Sequence, residues 1–408
     1  MNILWVKSGP LFPLDSGGKK RTHAMLGEIS KQHHVTYLAL LADGQALHPD
    51  EAAAPYAAEK VWLPWRETPK RTWRFYGDLL HGFLFSPYPY ALEKYISQPM
   101  TDWLASQIRV DRFDLVICDF LHPAPNFLHL DRKVPLILFQ HNMEAMIWKR
   151  LAESSSNPMS RFYLQDQFRR FSKWEKKLSE LFDGIITVSE DDSRYARENY
   201  QLENVLGHVA TGADANHFAP RKEIGSGDDV IGFLGSMDWL ANIRAVEFFV
   251  AEAYPVIKRA IPDVRFMIIG RNPPESVCDL AAKDDSITVT GSVEDIRPYL
   301  KMCDVMVVPL LAGGGTRIKI LEAMAMGVPV VSTTIGAEGL GLESGTELEI
   351  ADGAGPFAAR TAELLVDDGR RRALADAAYT RLLRDNGWKN VADEFLLLCG
   401  KVLDPDTR

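Results

Sequence analysis

One stretch, residues 310–334 with the sequence LLAGGGTRIKILEAMAMGVPVVSTT, constrains the backbone strongly. Its three consecutive glycines, residues 313–315, allow positive φ angles and let a ligand approach the main chain closely. Thr316 then predicts an N-cap for a helix over residues 317–326, which are helix formers with apolar side chains at helical spacing. Gly327 is typical of the C′ position, and a proline two residues later prevents the helix from continuing.

Runs typical of β-strands flank this stretch, residues 304–310 before the glycines and residues 328–333 after the helix. A glycine loop that leads from a strand into a helix is an anion site, because free N–H groups and the helix dipole converge there. Arg317 and Lys319 add mobile positive charge. Glu322 lies more than one turn further along and needs a different partner, such as a ligand hydroxyl.

The composition is that of an ordinary globular protein with enough chain for two domains: 408 residues, 46% hydrophobic and 25% charged. No window approaches the ~20 apolar residues that a membrane span needs. The N-terminal sequence MNILWVKSGP lacks the basic segment and cleavage site of a signal peptide. The cysteines are widely spaced, which argues against a disulfide framework or a zinc site and favours a cytoplasmic location. They are Cys118, Cys278, Cys303 and Cys399.

Strand and helix patterns alternate in both halves of the chain, which predicts an α/β fold with parallel sheets covered by helices. Periodicity is lost between residues 211 and 229, so we expect a linker there. We therefore predict an N-terminal domain over residues 1–218, a C-terminal domain over 219–385, and a final amphipathic helix within 386–408 that could pack on either domain. Two such domains place a nucleotide-sized ligand in the cleft between them.

Several residues at predicted strand ends are candidates for ligand binding. Gly17 and Gly18 follow the first strand and precede a predicted helix over residues 20–32, so they could contact a phosphate or simply form a tight turn. There is no GxGxxG motif to indicate a dinucleotide. His141 closes a predicted strand, where ligands bind in α/β folds. Asp119 and His122 lie at the equivalent end of the neighbouring strand and carry less weight.

Further strand-end glycines occur in the C-terminal half. Gly235 and Gly270 could make sharp turns, line the cleft, or do both. Arg271 is a candidate for contacting a base or a phosphate, and the backbone around Val293 could face a base edge. No Ser-His-Asp arrangement or metal-ligand spacing is visible, so we expect no metal. Residues 60–177 hold 18 basic and 12 acidic residues, which could form a basic face for an anionic partner or merely solvated helices.

The C-terminal half resembles the nucleotide-sugar domain of GT-B glycosyltransferases of family 4. The segments that carry this resemblance are VIGFLGSMDW, VRFMIIGR, ITVTGSVEDIRPYLKMCDVMVVPL, GGGTRIKILEAMAMGVPVVST and IGAEGL. The N-terminal half resembles the same family more loosely, through its Ser-Gly-Gly segment, FQHNMEAMIWKR, GIITVSE and TGADANHFAP. The resemblance implies two Rossmann-like domains whose parallel sheets face each other across a cleft.

The resemblance also implies roles for individual residues. A nucleotide-diphosphate sugar would bind the C-terminal domain, an acceptor would dock on the N-terminal domain, and transfer would retain configuration without a metal cofactor. Glu322 would contact the ribose, and His141 would contact the sugar near the transfer centre. The residues expected to bind the nucleotide sugar are Gly17, Gly18, Gly235, Arg271, Val293, Gly314, Gly315, Thr316, Arg317 and Glu322, and those expected at the transfer centre are His141, Arg317 and Lys319.

Two positions depart from the common family pattern. The E-x7-E motif would place its first glutamate at Gly314, and the turn after Gly235 carries Asn242 and Arg244 in place of an Arg and Lys pair. The chain resembles a subgroup that lacks the first glutamate, in which Arg317 and Lys319 supply the positive charge.

The resulting hypothesis is a retaining glycosyltransferase of polysaccharide or glycolipid synthesis, acting on a glycan or lipid-linked glycan. The basic, aromatic N-terminal region leaves peripheral contact with the inner membrane surface open, and we expect no nucleic-acid partner. Two alternatives stay open: a non-catalytic GT-B subunit that scaffolds a polysaccharide synthase, and a nucleotide-sugar 2-epimerase.

Overall fold

The computed structural model describes residues 1–403, apart from 67, 69–71, 109–111, 132, 154, 156, 214–217, 219, 221–227 and 313–316. The chain forms two compact units. The first comprises Met1–Ala210 together with the segment from Trp388 onward, and the second lies within residues 211–387. The last helix is therefore part of the first unit.

Each unit is built on one parallel sheet, with seven strands described in the first and six in the second. The first sheet has the order β3-β2-β1-β4-β5-β6-β7 and the second has the order β10-β9-β8-β11-β12-β13. The strands are β1 (Asn2–Lys7), β2 (His34–Ala42), β3 (Glu59–Trp65), β4 (Leu115–Asp119), β5 (Leu136–Phe139), β6 (Gly184–Thr187), β7 (Val205–His208), β8 (Val230–Leu234), β9 (Arg265–Ile269), β10 (Ile287–Val289), β11 (Val305–Val308), β12 (Val330–Ser332) and β13 (Glu349–Ile350).

Helices connect the strands and cover both faces of each sheet, as parallel strands require. In the first unit they are α1 (Gly17–Ile29), α2 (Pro49–Ala53), α3 (Trp73–Phe85), α4 (Tyr90–Glu93), α5 (Gln98–Ile108), α6 (Glu144–Glu153), α7 (Pro158–Ser179) and α8 (Glu190–Tyr200), with a 3₁₀ turn at Ala124–Phe127. The second unit contains α9 (Leu240–Phe248), α10 (Tyr254–Ala260), α11 (Glu275–Lys283), α12 (Arg297–Met302), α13 (Ile318–Ala325), α14 (Thr334–Ala337), α15 (Ala354–Val366) and α16 (Asp368–Asp385), and α17 (Trp388–Leu403) returns to the first.

Alternating residues of β1 build the two halves of the first core. Leu4 and Val6 belong to the hydrophobic cluster on one face, whereas Ile3 and Trp5 belong to the cluster on the other. Helix α17 covers the second face, where Phe395 lies 5.6 Å from the Trp5 ring. The strands at the centre of the sheet are thus buried on both sides, and the predicted α/β fold with parallel sheets is confirmed.

Two predicted helix boundaries were wrong. Helix α1 begins at Gly17, three residues earlier than expected, because Ser16 already has the extended N-cap conformation. Helix α13 begins at Ile318, with Arg317 at the N-cap position, so the helix does not start at Arg317. Between α9 and α10 the helix is interrupted by a π-helical turn, Phe249–Ala253, just before a proline that lacks the N–H for a regular helix.

At Gly270, which follows β9, the main chain lies very close to the main chain that follows β8. A Cβ at this position would lie 1.9 Å from the carbonyl oxygen of Gly235, at the carboxyl end of the adjacent strand. Backbone atoms cannot move aside cheaply, so the two strand ends require a residue without a side chain here.

We expect Gly270→Ala to lower the free energy of unfolding by about 1–3 kcal/mol, because the added methyl group overlaps main-chain atoms. The matched control is Gly355→Ala in α15, where a Cβ would meet nothing within 4 Å. That change should be neutral or stabilising by up to about 1 kcal/mol. Urea denaturation of both variants measures the difference, and an unchanged midpoint for Gly270→Ala would contradict the packing.

Candidate active site

The strand order of the first sheet reverses between β1 and β4, and ligands of open α/β sheets bind at the carboxyl ends of strands at such a point. Lys7 ends β1, Asp119 ends β4, and His141 follows β5 by two residues. All three side chains are buried. The topology therefore brings together three ionisable residues that are far apart in the sequence.

Asp119 is the centre of this group. Its Oδ2 atom accepts hydrogen bonds from Lys7 Nζ at 2.8 Å, Thr22 Oγ1 at 2.6 Å and Trp5 Nε1 at 2.9 Å. Its Oδ1 atom lies 2.8 Å from His141 Nε2. A buried carboxylate is tolerated only when donors and opposite charge compensate for lost hydration, and here both are supplied.

Burial and neighbouring charges shift these groups in opposite directions. Burial alone would raise the pKa of Asp119, but Lys7 and His141 overcome this effect and hold it below its ordinary value. Burial lowers the pKa of His141 to about 4, with Lys7 and Arg21 adding to the effect and Asp119 opposing it. At neutral pH the site thus holds an ionised carboxylate beside a neutral imidazole.

Phe120 joins this cluster to the start of α1. Its backbone has a φ of 76°, and its ring stacks on His141 with the ring centroids 3.9 Å apart. A Cβ at Gly18 would lie 2.6 Å from the Phe120 ring and 3.9 Å from His141 Nδ1. The structure therefore brings predicted residues Gly18 and His141 together. Gly17 and Gly18 are the first residues of the 13-residue helix α1 and do not form a loop before it.

Glu175, on α7, holds the turn that carries His141. Its carboxylate accepts hydrogen bonds from the backbone N–H groups of Glu144 and Ala145, at 2.8 and 3.2 Å, in the first turn of α6. The side chains of Gln140 and Tyr200 also donate to it, at 2.5 and 2.7 Å. A carboxylate at a helix N-terminus is favourable, and this one fixes the residues on both sides of His141.

The second unit places its polar residues at the corresponding reversal, between β8 and β11. Lys319 is on α13; its Nζ atom donates to Asn242 Oδ1 at 2.8 Å and lies 4.7 Å from the centroid of the Phe233 ring. Asn242 in turn donates to the carbonyl of Ser236 at 2.7 Å. A Cβ at Gly235 would lie 2.9 Å from Lys319 Nζ, so this glycine makes room for the ammonium group.

Burial lowers the pKa of Lys319 to about 7, with Arg317 adding to the effect and Glu322 opposing it. Arg317 is itself buried; its Nη2 donates to the carbonyl of Ile335 at 3.0 Å, and it lies 3.9 Å from Glu338. The expectation that Arg317 and Lys319 supply mobile positive charge was therefore wrong. Glu322, one turn along the same short helix, is also buried.

Arg271 and Val293 have different surroundings. Arg271 Nε donates to Ser236 Oγ at 3.0 Å and lies 3.1 Å from Asp238, which connects it to the turn after β8. Val293 is partly buried against the hydrophobic core. The structure thus places Arg271, but not the Val293 side chain, among the polar groups at the strand ends. Gly314, Gly315 and Thr316 lie outside the described residues.

Sequence reasoning missed Lys7 and Thr22 and gave Asp119 little weight. The one available signal was a lysine directly after the apolar run of the first strand, because a charge at that position must be compensated or lie at a ligand site.

Within the described ranges, no group of three or more His, Cys, Asp or Glu side chains has an arrangement that could hold a metal ion. No helix in the described part is long and apolar enough to cross a bilayer.

Two family models together match most of the chain. The model described as Glycosyltransferase Family 4 matches residues 16–216, and the model described as Glycosyl transferases group 1 matches residues 228–383. The chain belongs to the GT-B glycosyltransferases. The division between the matches coincides with the linker region at the start of the second unit.

Curated relatives of this GT-B chain are distant. An uncharacterized 44.6 kDa protein in the cps region of Klebsiella pneumoniae is 23% identical over 59% of this chain and 62% of its own length. A GDP-mannose-dependent alpha-(1-6)-phosphatidylinositol monomannoside mannosyltransferase of Mycolicibacterium smegmatis is 26% identical over 48% of this chain and 58% of its own length. The chain thus aligns with about 60% of the length of these relatives.

Solved structures show the same fold over nearly the whole chain. Sucrose-phosphate synthase from Thermosynechococcus elongatus superposes with a TM-score of 0.75 at 16% identity, covering 98% of this chain and 99% of that one. Anabaena HepE in complex with UDP and glucose superposes with a TM-score of 0.67 at 13% identity, covering 98% and 100%. At these identities the likeness shows the GT-B fold and nothing about specificity.

Proposed function

We propose that the protein transfers a sugar, with retention of configuration, from a nucleotide-diphosphate sugar to a glycan or lipid-linked glycan. The observation that carries this proposal is the arrangement at the start of α13, where a buried arginine, a partly buried lysine and a buried carboxylate lie within six positions: Arg317, Lys319 and Glu322. Such a set suits a ligand that has an anionic part and a hydroxyl-bearing part, as a nucleoside diphosphate does.

The chemistry follows from where charge develops during the reaction. As the glycosidic bond breaks, the leaving diphosphate gains negative charge, and preorganised cations and N–H groups stabilise that charge more in the transition state than in the ground state. Among the described residues, Lys319 Nζ donates its hydrogen bond to a neutral amide, so its charge is available to an incoming anion. Glu322 would accept hydrogen bonds from the ribose hydroxyls.

The same residues account for the missing glutamate of the E-x7-E motif. With a glycine at position 314, Arg317 and Lys319 would hold the diphosphate and Glu322 alone would serve the nucleoside. No metal is then needed to neutralise the leaving group. Gly235 and Arg271 would line the nucleotide site, and Gly18 and His141 would lie near the transferred sugar.

The relatives indicate which substrates to test first. The mannosyltransferase of M. smegmatis is named as GDP-mannose-dependent and acts on a phosphatidylinositol mannoside, and HepE was crystallised with UDP and glucose. GDP-mannose and UDP-glucose are therefore the first donors to test, and lipid-linked glycans are the first acceptors.

An exposed apolar face on α3 and the start of α7 supports a lipid-linked acceptor. We define this apolar face by side chains that are 60–87% exposed: Trp73 (87%), Leu80 (60%), Phe85 (73%), Met159 (83%) and Phe162 (63%). Arg170 of α7 donates to the carbonyl of Ser86 at 2.7 Å, so the two helices are attached to each other. The basic side chains Arg161, Arg169 and Lys173 are exposed on α7. Exposed aromatic and basic side chains together favour peripheral contact with anionic lipid on the cytoplasmic membrane face.

Replacing the buried residues of α13 tests the nucleotide site. We expect Arg317→Ala to lower kcat/KM by about 10²–10³-fold, the loss typical of removing one donor from a charge-stabilising site. Glu322→Ala should weaken nucleotide binding by about 10–100-fold, because hydrogen bonds to a charged group are lost. Lys283→Ala, an exposed lysine of the same unit, is the control.

The measurement is a screen of UDP-, GDP- and ADP-sugars by NMR, which also reports the configuration of the product. Wild-type rates in both site variants would contradict the assignment. Nucleotide binding without turnover would favour a scaffold subunit, and conversion of the donor without an acceptor would favour an epimerase; either result would overturn the proposal.

The pH dependence of donor binding tests the role of Lys319. Since its pKa lies at about 7, the free protein loses this charge as the pH rises from 6 to 9. Affinity for a nucleotide sugar, whose diphosphate does not titrate in this range, should fall by up to about tenfold per pH unit above 7. Lys319→Arg should bind tightly with a flat profile, and Lys319→Met weakly with a flat profile. A flat wild-type profile, measured by calorimetry, would contradict this role.

Vesicle sedimentation tests the apolar face. The protein should pellet with anionic vesicles and be released as salt increases, because ionic strength screens the basic residues. Trp73→Ala with Phe162→Ala should reduce binding by an order of magnitude or more, since each large side chain contributes about 1.5–3 kcal/mol on burial. Leu397→Ala, which removes a side chain of α17 that is also 73% exposed, is the control. Equal pelleting with neutral and anionic vesicles would exclude the interaction.

A further inference from the structure

The contact between Asp119 and His141 determines where the imidazole carries its proton. Asp119 Oδ1 and His141 Nε2 are 2.8 Å apart and both atoms are buried; the contact is short, and neither atom makes a well-aligned hydrogen bond to any described residue. Two lone pairs repel each other at this distance unless a proton lies between them. One of the two atoms must therefore be protonated.

The surroundings of the carboxylate place that proton on the nitrogen. Asp119 Oδ2 already accepts from Lys7, Thr22 and Trp5, so the carboxylate is stabilised in its ionised form. An ionised carboxylate is an acceptor on both oxygens. The atom that donates across the 2.8 Å gap is consequently Nε2.

The second ring nitrogen has a different environment. Nδ1 has no hydrogen-bond partner in the described part of the chain, and a Cβ placed on Gly18 of α1 would lie 3.9 Å from it. The Phe120 ring lies 3.9 Å from the imidazole and the Phe139 ring 4.5 Å. Apolar rings provide no hydrogen-bond acceptor in the ring plane, so nothing nearby stabilises a proton on Nδ1.

The charged groups around the ring also disfavour a second proton. Among the charged groups that act on the ring, Lys7 and Arg21 are cations on β1 and α1, and Asp119 on β4 is an anion. Burial with these two cations outweighs the carboxylate and lowers the pKa of His141 to about 4. At neutral pH the imidazole has one proton, and Nδ1 retains a lone pair.

We propose that Asp119 is a positioning residue that holds His141 in the Nε2-protonated tautomer, so that the unprotonated Nδ1 accepts a hydrogen bond from a hydroxyl group of the bound sugar. The identity of that hydroxyl rests on the proposed function; the tautomer rests on the geometry alone. Gly18 leaves space beside Nδ1, and a sugar hydroxyl is a donor of suitable size. His141 acts here as a neutral acceptor and not as a cation that would bind the diphosphate.

The substitution Asp119→Asn should reverse this arrangement. The carboxamide that replaces the carboxylate can present its NH₂ group to Nε2, which would then accept and leave the proton on Nδ1. The ring would keep its position but offer the sugar hydroxyl a donor where it needs an acceptor. A comparable change of tautomer in serine proteases lowers kcat strongly while leaving the geometry intact.

The experiment is ¹⁵N NMR of the full chain labelled at histidine, with His141→Gln used to assign the His141 signals. In the wild type we expect Nε2 at the chemical shift of a protonated nitrogen and Nδ1 at that of an unprotonated one, without change between pH 6 and 9. Asp119→Asn should exchange the two or mix them. A wild-type Nδ1 that carries the proton, or a ring that titrates near its ordinary pKa, would overturn the proposal.

Kinetics separate positioning from a purely structural role. Asp119→Asn should lower kcat at least about tenfold and change the KM for the donor little. Tenfold is the lower end of the loss expected when a residue that orients another functional group is replaced. Tyr37→Phe is the matched control, because it removes one hydrogen bond, to the carbonyl of Gly9 at 2.7 Å, in the same sheet without touching the cluster. Equal losses of kcat and of thermal midpoint in both variants would overturn a positioning role.

The NMR experiment and the kinetic experiment together distinguish a failure of this inference from a failure of the proposed function. If the wild type turns over no nucleotide sugar, the proposed function fails, while the wild-type spectrum still confirms or contradicts the tautomer. If Asp119→Asn does not fold, the wild-type spectrum and its pH series decide the question without it.

Discussion

The buried carboxylate of Asp119 is the interaction on which the first unit depends. It connects the ends of β1 and β4 through Lys7, reaches α1 through Thr22, and contacts the turn after β5 through His141. Removing one member of a buried ion pair costs about 3–5 kcal/mol, because the other charge is left without compensation. Stability and site geometry in this unit therefore have the same physical origin.

Each unit has a lysine near the point where the strand order of its sheet reverses, one at the end of a strand and one on a helix, and the two serve different purposes. Lys7 pairs with Asp119, so its charge is neutralised within the protein. Lys319 contacts the neutral side chain of Asn242, and burial lowers its pKa to about 7. The first lysine stabilises a rigid arrangement, whereas the second changes its protonation state near neutral pH.

The α/β fold was predictable because parallel strands are buried on both faces and read as apolar runs separated by amphipathic helices. His141 and Gly18 were recognised because strand ends and glycine pairs are visible locally. Thr22 could not be recognised, because a threonine inside a helix acquires its meaning from Asp119, which lies 97 residues away. The burial of Arg317 was missed for a similar reason: its partner, the carbonyl of Ile335, belongs to another element.

Because α17 follows the second unit in the sequence, the first unit can bury one face of its sheet only after the second unit has been synthesised. The core on one face of its sheet contains Phe395 and Cys399 beside Trp5 and Phe139, so α17 packs on a sheet from which the whole second unit separates it in the sequence. During synthesis, the second unit leaves the ribosome before α17 can cover this face. The nascent first unit therefore keeps an apolar sheet surface exposed until α17 has been synthesised, and exposed apolar surface of this kind favours aggregation.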